Sequence, residues 1–299
     1  MFNEAENLDY FFERVTRVLT KLGLSFEIVC VNDGSRDGTF AGLLAHREKN
    51  PAIKVVDLSR NFGKDIALTA GIDHAKGAAV IPIDSDLQDP PELIEEMVKK
   101  WREGFEVVYA TRRSRQGESI FKRATASLFY KLFASVSDVK MPPNTGDFRL
   151  MDRKAVDALM RMPERNRFMK GLFAWVGFKQ TAVMYDREKR HAGTTKWNYW
   201  KLWNFALDGI TGFSSVPLRV WTYIGTFVSL CAFLYALFLI VLKIVYGNNV
   251  AGYPSLMVAV LFLGGIQLIT LGVLGEYMAR IYNEVKGRPL YLVRDKHGC

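Results

Sequence analysis

Residues 1–110 alternate between short apolar runs and segments whose apolar residues recur at helical spacing. The short runs predict buried strands, and the spaced positions predict amphipathic helices. The predicted strands are 26–31, 53–58, 78–83 and 107–110. The predicted helices are 7–22, a second ending near 49, 65–75 and 91–103. This order favours an α/β fold class, with a mostly parallel sheet covered by helices on both faces.

The pattern changes near residue 216, where two long apolar stretches begin. They run from about 217 to 246 and from about 254 to 274, and the second carries no charge. Each exceeds the roughly 20 apolar residues that are needed to cross a bilayer. Two buried core helices are the alternative, but uncharged runs this long are rare in soluble domains. The sequence therefore predicts a soluble part followed by two transmembrane helices.

The formal net charge of +9 is concentrated around these stretches. Basic residues precede the first stretch and follow the second, whereas residues 247–253 between them are uncharged. The positive-inside rule then predicts that both termini lie in the cytoplasm. No nucleic-acid motif accompanies the charge, so anionic head groups explain its placement better than nucleic acid does. The polar, acidic amino-terminal residues do not resemble a cleavable signal.

Carboxylates cluster directly after the predicted strand 78–83. Asp84 and Asp86 are one residue apart, so their side chains point to the same side of the pleat. Such carboxylates repel each other unless a cation lies between them, and hard oxygen ligands suit Mg²⁺ or Mn²⁺. Gln88 is either a third ligand or a partner in a helix-start hydrogen bond. The alternative for the whole loop is a solvated acidic turn that caps the next helix.

A second carboxylate, Asp33, follows the predicted strand 26–31 in a glycine-rich turn. Ligands of open α/β sheets bind at the carboxyl ends of strands, so Asp33 and Asp84 are both candidates for binding. A local Asx-turn is the alternative for Asp33. The chain opens at Met1, immediately before the first helix, where such a domain normally begins with a strand. Either that strand lies upstream of Met1 or it is absent.

Six segments, in order along the chain, resemble family 2 glycosyltransferases of the polyprenyl-phosphate type. The family is similar to dolichyl-phosphate mannose synthase, and the closest resemblance is to bacterial bactoprenol glucosyltransferases. The matching segments are Phe2-Asn3-Glu4-Ala5-Glu6-Asn7-Leu8, residues 31–39, Asn61-Phe62-Gly63-Lys64, residues 84–92, Gly146-Asp147-Phe148-Arg149-Leu150 and the basic loop 187–196. The two apolar stretches fit the bacterial subgroup.

The resemblance implies a GT-A type nucleotide-sugar-binding domain over 1–196, with its first strand apparently missing. The aromatic segment 197–216 is then an interfacial amphipathic helix, with core packing as the alternative. Residues 217–282 form the transmembrane hairpin and 283–299 a cytoplasmic tail. The implied location is the inner (cytoplasmic) membrane, with the catalytic domain on the cytoplasmic face.

The implied reaction is an inverting, metal-dependent transfer of a sugar to polyprenyl phosphate. Glucose is the best guess for the sugar, UDP for the nucleotide and undecaprenyl phosphate for the acceptor. The partners are thus the nucleotide sugar, the lipid phosphate and the membrane, with a homo-oligomer left open. Two alternatives are a non-catalytic membrane scaffold with a degenerate transferase domain and a processive polysaccharide synthase. Processive synthases carry a Gln-x-x-Arg-Trp motif, and its absence from this sequence argues against that alternative.

The resemblance also assigns residues to roles, and each role has a plainer alternative. Asp84, Asp86 and Gln88 would hold the Mg²⁺ or Mn²⁺ ion. Asp86, Asp84 and Asp147 would be catalytic, although Asp147 could simply cap a turn. The donor would be bound by Asn3, Glu4, Asp33, Lys64, Arg187, Arg190 and Lys196. Arg112 and Arg123 would position the acceptor phosphate, but a solvated surface charge is the better interpretation of Arg123.

Overall fold

The computed structural model of the chain describes residues 1–113, 142, 145–162, 164–165, 167–186, 214, 216–246 and 252–299. These residues divide into two compact units. The first contains the described residues through Asp186 together with Arg288–Cys299, and the second contains the two long apolar helices through Gly287.

The first unit alternates strands and helices, as the apolar pattern predicts. Its strands are β1 (Ile28–Asn32), β2 (Ile53–Leu58), β3 (Ala79–Val80), β4 (Val107–Arg112), β5 (Thr145–Asp152), β6 (Gln180–Tyr185) and β7 (Val293–His297). Its helices are a short 3₁₀ turn (Ala5–Asn7), α1 (Leu8–Lys21), α2 (Thr39–Lys49), α3 (Lys64–His74), α4 (Leu93–Arg102), α5 (Arg153–Met160) and α6 (Met169–Trp175). The second unit contains α7 (Val216–Tyr246) and α8 (Tyr253–Val285).

The strands of the first unit form two mixed sheets, ordered β1-β2-β7 and β3-β5-β4-β6. Among the described strands, β1 pairs parallel with β2, and β4 pairs parallel with β6. The other pairs are antiparallel: β7 with β2, β3 with β5 and β4 with β5. The prediction of a mostly parallel sheet is therefore wrong for these strands. The reason is that β5 and β7, which the sequence analysis did not assign, enter the sheets in the opposite direction.

Alternating side chains of the first sheet build a core on each of its faces. Ile28 and Cys30 of β1 and Ile53 and Val55 of β2 face α1, which buries its apolar stripe against them. The intervening positions face the other way and pack with α3 and with residues of the carboxyl terminus. The strand period of two thus places helices on both faces, as predicted.

The predicted strand 78–83 is shorter than expected, since β3 includes only Ala79 and Val80. Pro82 has no backbone N–H to contribute to a sheet ladder, so pairing ends before it. The chain then leaves the sheet as the acidic loop, and α4 begins at Leu93.

Residues 283–299, assigned from sequence to a cytoplasmic tail, contribute the edge strand β7. It pairs antiparallel with β2, from Val55 opposite His297 to Leu58 opposite Val293. Arg294 reaches back to the buried Asp57, with Nη1 3.3 Å from a carboxylate oxygen. The end of the chain is therefore a structural part of the first unit.

The second unit contains two helices that are long and apolar enough to cross a membrane, over Tyr223–Leu242 and Ser255–Val285. Large apolar side chains on both helices are exposed, including Phe227 at 68% and Leu268 at 71%. Apolar surface of this extent is costly in water. Most of the predicted interfacial segment 197–216 lies outside the described residues.

Candidate active site

The turn after β1 is held against the loop that precedes α3. Asp33 is buried, and its carboxylate accepts hydrogen bonds from Phe62 N at 2.7 Å, Gly63 N at 3.0 Å and Asn61 Nδ2 at 2.9 Å. Burial raises the pKa of this carboxyl, against the opposing effect of the two backbone donors. An Asx-turn would join the Asp33 carboxylate to a backbone N–H two residues further along the chain. The observed bonds run to residues 61–63 instead, so they do not form that turn. Asp33 fixes the shape of the matched segment 61–64, which we call the donor-side loop after the donor role predicted for Lys64.

Gly34 makes this close approach possible. Its φ of +65° is in the left-handed region, and a Cβ there would lie 2.4 Å from the backbone carbon of Arg60. No side chain fits at that distance, so only glycine lets the two loops touch.

Asn3 and Glu4 lie beside the same turn, as predicted. The Asn3 side-chain oxygen accepts from Arg36 N at 2.9 Å, and its backbone N–H donates to Ser35 Oγ at 3.1 Å. The Glu4 backbone N–H donates to Thr39 Oγ1 at 2.9 Å. The start of the chain thus joins the strand-end turn that the sequence analysis assigned to the donor.

A group of charged side chains lies where three of the matched segments meet, and we call it the Lys64 cluster: Lys64, Asp65, Asp84, Asp147 and Lys170. The Lys64 ammonium donates to Asp84 Oδ2 at 2.7 Å and lies 2.8 Å from Asp147 Oδ2. Lys64 belongs to the donor-side loop and Asp84 to the acidic loop. Asp147 belongs to the matched segment 146–150, which we call the acceptor-side segment after the role that the resemblance implies. One cation therefore joins residues that are far apart in sequence.

The charges of the cluster act strongly on one another. Burial acts to lower the pKa of Lys64, but the charges of Asp147 and Asp84 outweigh it and raise that pKa. Burial acts to raise the pKa of Asp147, but Lys64 and Lys170 outweigh it and hold the pKa below its usual value. Burial, followed by the charge of Asp147, raises the pKa of Asp65 to about 7. Lys64 and Asp147 thus stay ionised at neutral pH.

The acidic loop presents oxygen ligands of the kind that a hard divalent ion takes. Asp84 lies in the cluster, and Asp86 Oδ1 accepts a hydrogen bond from Gln88 N at 3.2 Å. Gln88 precedes the first turn of α4, which begins at Leu93. In the described part of the chain no group of three or more Asp, Glu, His or Cys side chains is arranged to hold a metal ion by itself. The residues fit Mg²⁺ or Mn²⁺ only if a substrate supplies further oxygen ligands, which is common for these ions.

Arg112 reaches the acidic loop through a tyrosine. Its Nε donates to Tyr185 Oη at 3.1 Å, and that hydroxyl donates to the buried Asp89. Burial and the charge of Asp89 raise the pKa of Tyr185 to about 12. A Cβ at Gly146 would lie 4.0 Å from Arg112 Nη2 and 3.8 Å from Asp89 Oδ2. Arg112 therefore lies close to Gly146, and its role at the acceptor phosphate stays a prediction.

Sequence reasoning did not single out Asp65, Lys170, Tyr185 or Arg149. Arg149 is buried, stacks 4.1 Å from the Phe173 ring centroid and donates to Gly146 O at 2.7 Å. Burial lowers its pKa to about 10. Asp65 follows a matched segment and Arg149 lies within one, so the motifs could have indicated both. Nothing local in the sequence indicates Lys170 or Tyr185.

Two family patterns match the chain. The pattern of Glycosyl transferase family 2 matches residues 1–160, and that of the GtrB C-terminal hairpin matches residues 216–281. The chain is a family 2 glycosyltransferase. Its domain is of the GT-A type, with the mixed sheets described above.

Two relatives match almost the whole glycosyltransferase. The uncharacterized glycosyltransferase sll0501 of Synechocystis is 63% identical over 100% of this chain and 94% of its own length. The SfII prophage-derived bactoprenol glucosyl transferase of Shigella flexneri is 50% identical over 99% and 96%. Among solved structures, mannosyl-3-phosphoglycerate synthase from Rubrobacter xylanophilus has a TM-score of 0.47 at 19% identity, covering 70% of this chain and 68% of that one.

Four predicted site residues of the glycosyltransferase, Arg123, Arg187, Arg190 and Lys196, lie outside the described residues. Their roles in binding the acceptor or the donor stay predictions.

Replacing Asp65 by Asn is expected to stabilise the glycosyltransferase at pH 8. The raised pKa means that folded Asp65 keeps its proton to about pH 7, above the ordinary value of 3.8. Between pH 3.8 and about pH 7 the folded state binds more protons than the unfolded state. The free energy of unfolding therefore falls as the pH rises through this range because of Asp65. Thermal unfolding with a chelator present should show that the advantage of Asp65→Asn shrinks between pH 8 and pH 5.

The matched control for this prediction is Asp157→Asn, because Asp157 is a half-exposed carboxylate on α5. It should unfold like the wild type at both pH values. An Asp65→Asn protein that is less stable than the wild type at pH 8 would contradict the assigned environment of Asp65.

Proposed function

We propose that this enzyme transfers glucose from UDP-glucose to undecaprenyl phosphate, at the cytoplasmic face of the membrane and with inversion at the anomeric carbon. The observation that carries the proposal is the Lys64 cluster, in which the donor-side loop, the acidic loop and the acceptor-side segment meet. The choice of sugar and lipid follows the name of the 50% identical bactoprenol glucosyl transferase.

On the donor side, the enzyme must stabilise the negative charge that develops on the leaving nucleoside diphosphate. Asp84, Asp86 and Gln88 would hold a Mg²⁺ or Mn²⁺ ion, which when bound supplies Lewis-acid stabilisation of that charge. Lys64 adds a cation that can reach a phosphate oxygen because its side chain is 52% exposed. The turn that contains Asp33, together with Asn3 and Glu4, would hold the nucleoside.

On the acceptor side, the nucleophile is a phosphate that is already ionised near neutral pH. It needs cationic positioning more than it needs a general base. Arg112 is placed for this by Tyr185, and Asp147 would orient the acceptor through its contact with Lys64. The phosphate oxygen forms a bond to the anomeric carbon while that carbon's bond to the nucleoside diphosphate breaks. A single displacement of this kind inverts the configuration.

The two apolar helices would bring the enzyme to its lipid substrate. In this proposal α7 and α8 cross the inner membrane as a hairpin. The GtrB C-terminal hairpin pattern covers α7 and most of α8, and the exposed apolar surface of both helices needs a nonpolar surrounding. Basic residues before α7 and after α8 support a cytoplasmic location for both ends of the hairpin, by the positive-inside rule.

Radiolabelled sugar transfer tests the proposal directly. The full-length protein in detergent is given undecaprenyl phosphate and a panel of UDP- and GDP-linked sugars, with and without EDTA. We expect label in the lipid phase from UDP-glucose alone, lost on chelation and in Asp86→Asn. Nuclear magnetic resonance of the product reports the anomeric configuration.

Each result of this assay decides a separate part of the proposal. Transfer from another sugar nucleotide would correct the donor, and retention of configuration would exclude the single displacement. Transfer that survives chelation and Asp86→Asn would contradict the metal role. No transfer from any donor in the panel would contradict the function as a whole.

A further inference from the structure

The Lys64 ammonium occupies the space between two carboxylates that a bound cation would also attract. Its nitrogen is 2.7 Å from Asp84 Oδ2 and 2.8 Å from Asp147 Oδ2. Asp84 is also one of the residues assigned to the divalent ion. A single oxygen of Asp84 cannot serve both partners without rearrangement, because an ammonium and a divalent cation at this distance repel each other.

The surroundings of Lys64 allow it to leave this position. Its side chain is 52% exposed, whereas that of Asp147 is 13% exposed. Lysine carries its charge on a flexible four-carbon stem, so the ammonium can move while the backbone of α3 stays in place. When it moves, Lys170 remains as a second positive charge acting on Asp147. Displacement of Lys64 therefore does not leave Asp147 without a compensating charge.

We propose that Lys64 is an internal counter-ion that blocks the divalent ion from Asp84 until a nucleoside diphosphate arrives. The diphosphate offers the ammonium a new anionic partner and gives the metal the extra oxygen ligands that the acidic loop lacks. Metal and nucleotide then bind cooperatively, and each raises the affinity for the other by the same factor. The inference deepens the proposed function and rests on it.

A Lys64 that competes with the metal and a Lys64 that is only structural predict opposite changes in metal affinity when the ammonium is removed. If Lys64 only braces the loops, its removal should loosen Asp84 and weaken metal binding. If Lys64 competes with the ion, its removal should strengthen the binding of metal alone. A variant that lacks the ammonium separates the two roles.

The experiment measures Mn²⁺ binding by electron paramagnetic resonance to the full-length protein in detergent. The wild type and Lys64→Met are titrated without nucleotide and with saturating UDP or GDP, whichever supports transfer. For Lys64→Met we expect affinity for Mn²⁺ alone to rise roughly tenfold, within the usual range of coupling between sites. The tightening caused by the nucleotide should shrink, because less competition remains to be relieved.

Two further variants control for charge and shape. Lys100→Met removes a lysine that pairs with Glu103 on the surface, so it should bind Mn²⁺ like the wild type. Lys64→Arg keeps the charge and should keep the weak binding of metal alone. Lys64→Gln, checked by thermal unfolding beside Lys64→Met, guards against an effect of misfolding and should reproduce the tighter binding.

The outcomes distinguish this inference from the proposed function. Unchanged or weaker Mn²⁺ binding in both Lys64→Met and Lys64→Gln, with sugar transfer by the wild type intact, overturns the counter-ion role alone. Absence of Mn²⁺ binding in every variant, with and without nucleotide, overturns both the counter-ion role and the metal dependence of the proposed reaction.

Discussion

Asp84→Asn is expected to lower kcat/KM for sugar transfer by roughly 10²- to 10³-fold, the usual cost of losing transition-state charge stabilisation, which Asp84 would supply through the divalent ion. The substitution keeps the shape of the side chain but removes the charge that faces Lys64 at 2.7 Å. It would weaken the hold on the divalent ion and leave Lys64 paired with Asp147 alone. The measurement is the initial rate of label transfer over a range of Mn²⁺ concentrations.

Added metal should restore part of the lost rate if Asp84 is a ligand, because higher concentration compensates for weaker binding. The control is again Asp157→Asn on α5, which should transfer sugar at the wild-type rate. A rate for Asp84→Asn within about threefold of the wild type at all Mn²⁺ concentrations would rule out its metal role, because replacing even a residue that only supports a metal ligand costs roughly 10-fold or more.

Removing residues 291–299 is expected to prevent the first unit from reaching its folded state. The deletion takes away β7, the backbone bond from Ser59 N to Leu292 O at 2.9 Å and the bond from Tyr291 to Asp73 at 2.9 Å. It also exposes the edge of β2, which is a template for aggregation. Size-exclusion chromatography in detergent should show aggregated protein instead of a single folded peak.

A single substitution in β7 tests the same structural role with a smaller, measurable loss of stability. Asp57 is 1% exposed and loses its cationic partner in Arg294→Ala. An unfolding free energy lower by about 1–3 kcal/mol is expected, the cost of leaving a buried acceptor with fewer partners. Arg288→Ala, which removes an exposed arginine before β7, should change stability by less than about 0.5 kcal/mol. Wild-type stability of both Arg294→Ala and the truncated protein would refute the structural role of β7.

Elements set by local patterns could be predicted from the sequence. Residues 53–58 were predicted as a strand and are β2, and the helix predicted over 7–22 is the 3₁₀ turn and α1. In both cases the apolar spacing alone indicates the element and its buried face. Strand direction could not be predicted in this way, because an apolar run has the same pattern in parallel and antiparallel pairs.

Three described strands, β5, β6 and β7, were missed, and two of them, β5 and β7, carry many charged or polar residues. β5 contains Asp147, Arg149 and Asp152, and β7 is Val-Arg-Asp-Lys-His. Neither has the apolar run that predicts a buried strand. The partner of β7 is also more than two hundred residues away, since Arg294 and Asp57 are separated by 237 positions. Only the folded chain shows such a pairing.

The candidate site, too, could be predicted only in part from the sequence. Family motifs indicated Asp84, Lys64 and Asp147 one segment at a time. They did not indicate that one ammonium lies between the two carboxylates, because that contact depends on how three loops meet. The link from Arg112 through Tyr185 to Asp89 was missed for the same reason, since Tyr185 and Asp89 are 96 positions apart.

The position of β7 at the end of the chain has a consequence for biosynthesis. The ribosome makes α7 and α8 before it makes Val293–His297, so the first sheet gains its third strand only after both apolar helices have been synthesised. Until then no other described strand lies beside the outer edge of β2, and Arg294 is not yet present to pair with Asp57. The catalytic unit can therefore finish folding only after the ribosome has made the helices that would carry it to the membrane.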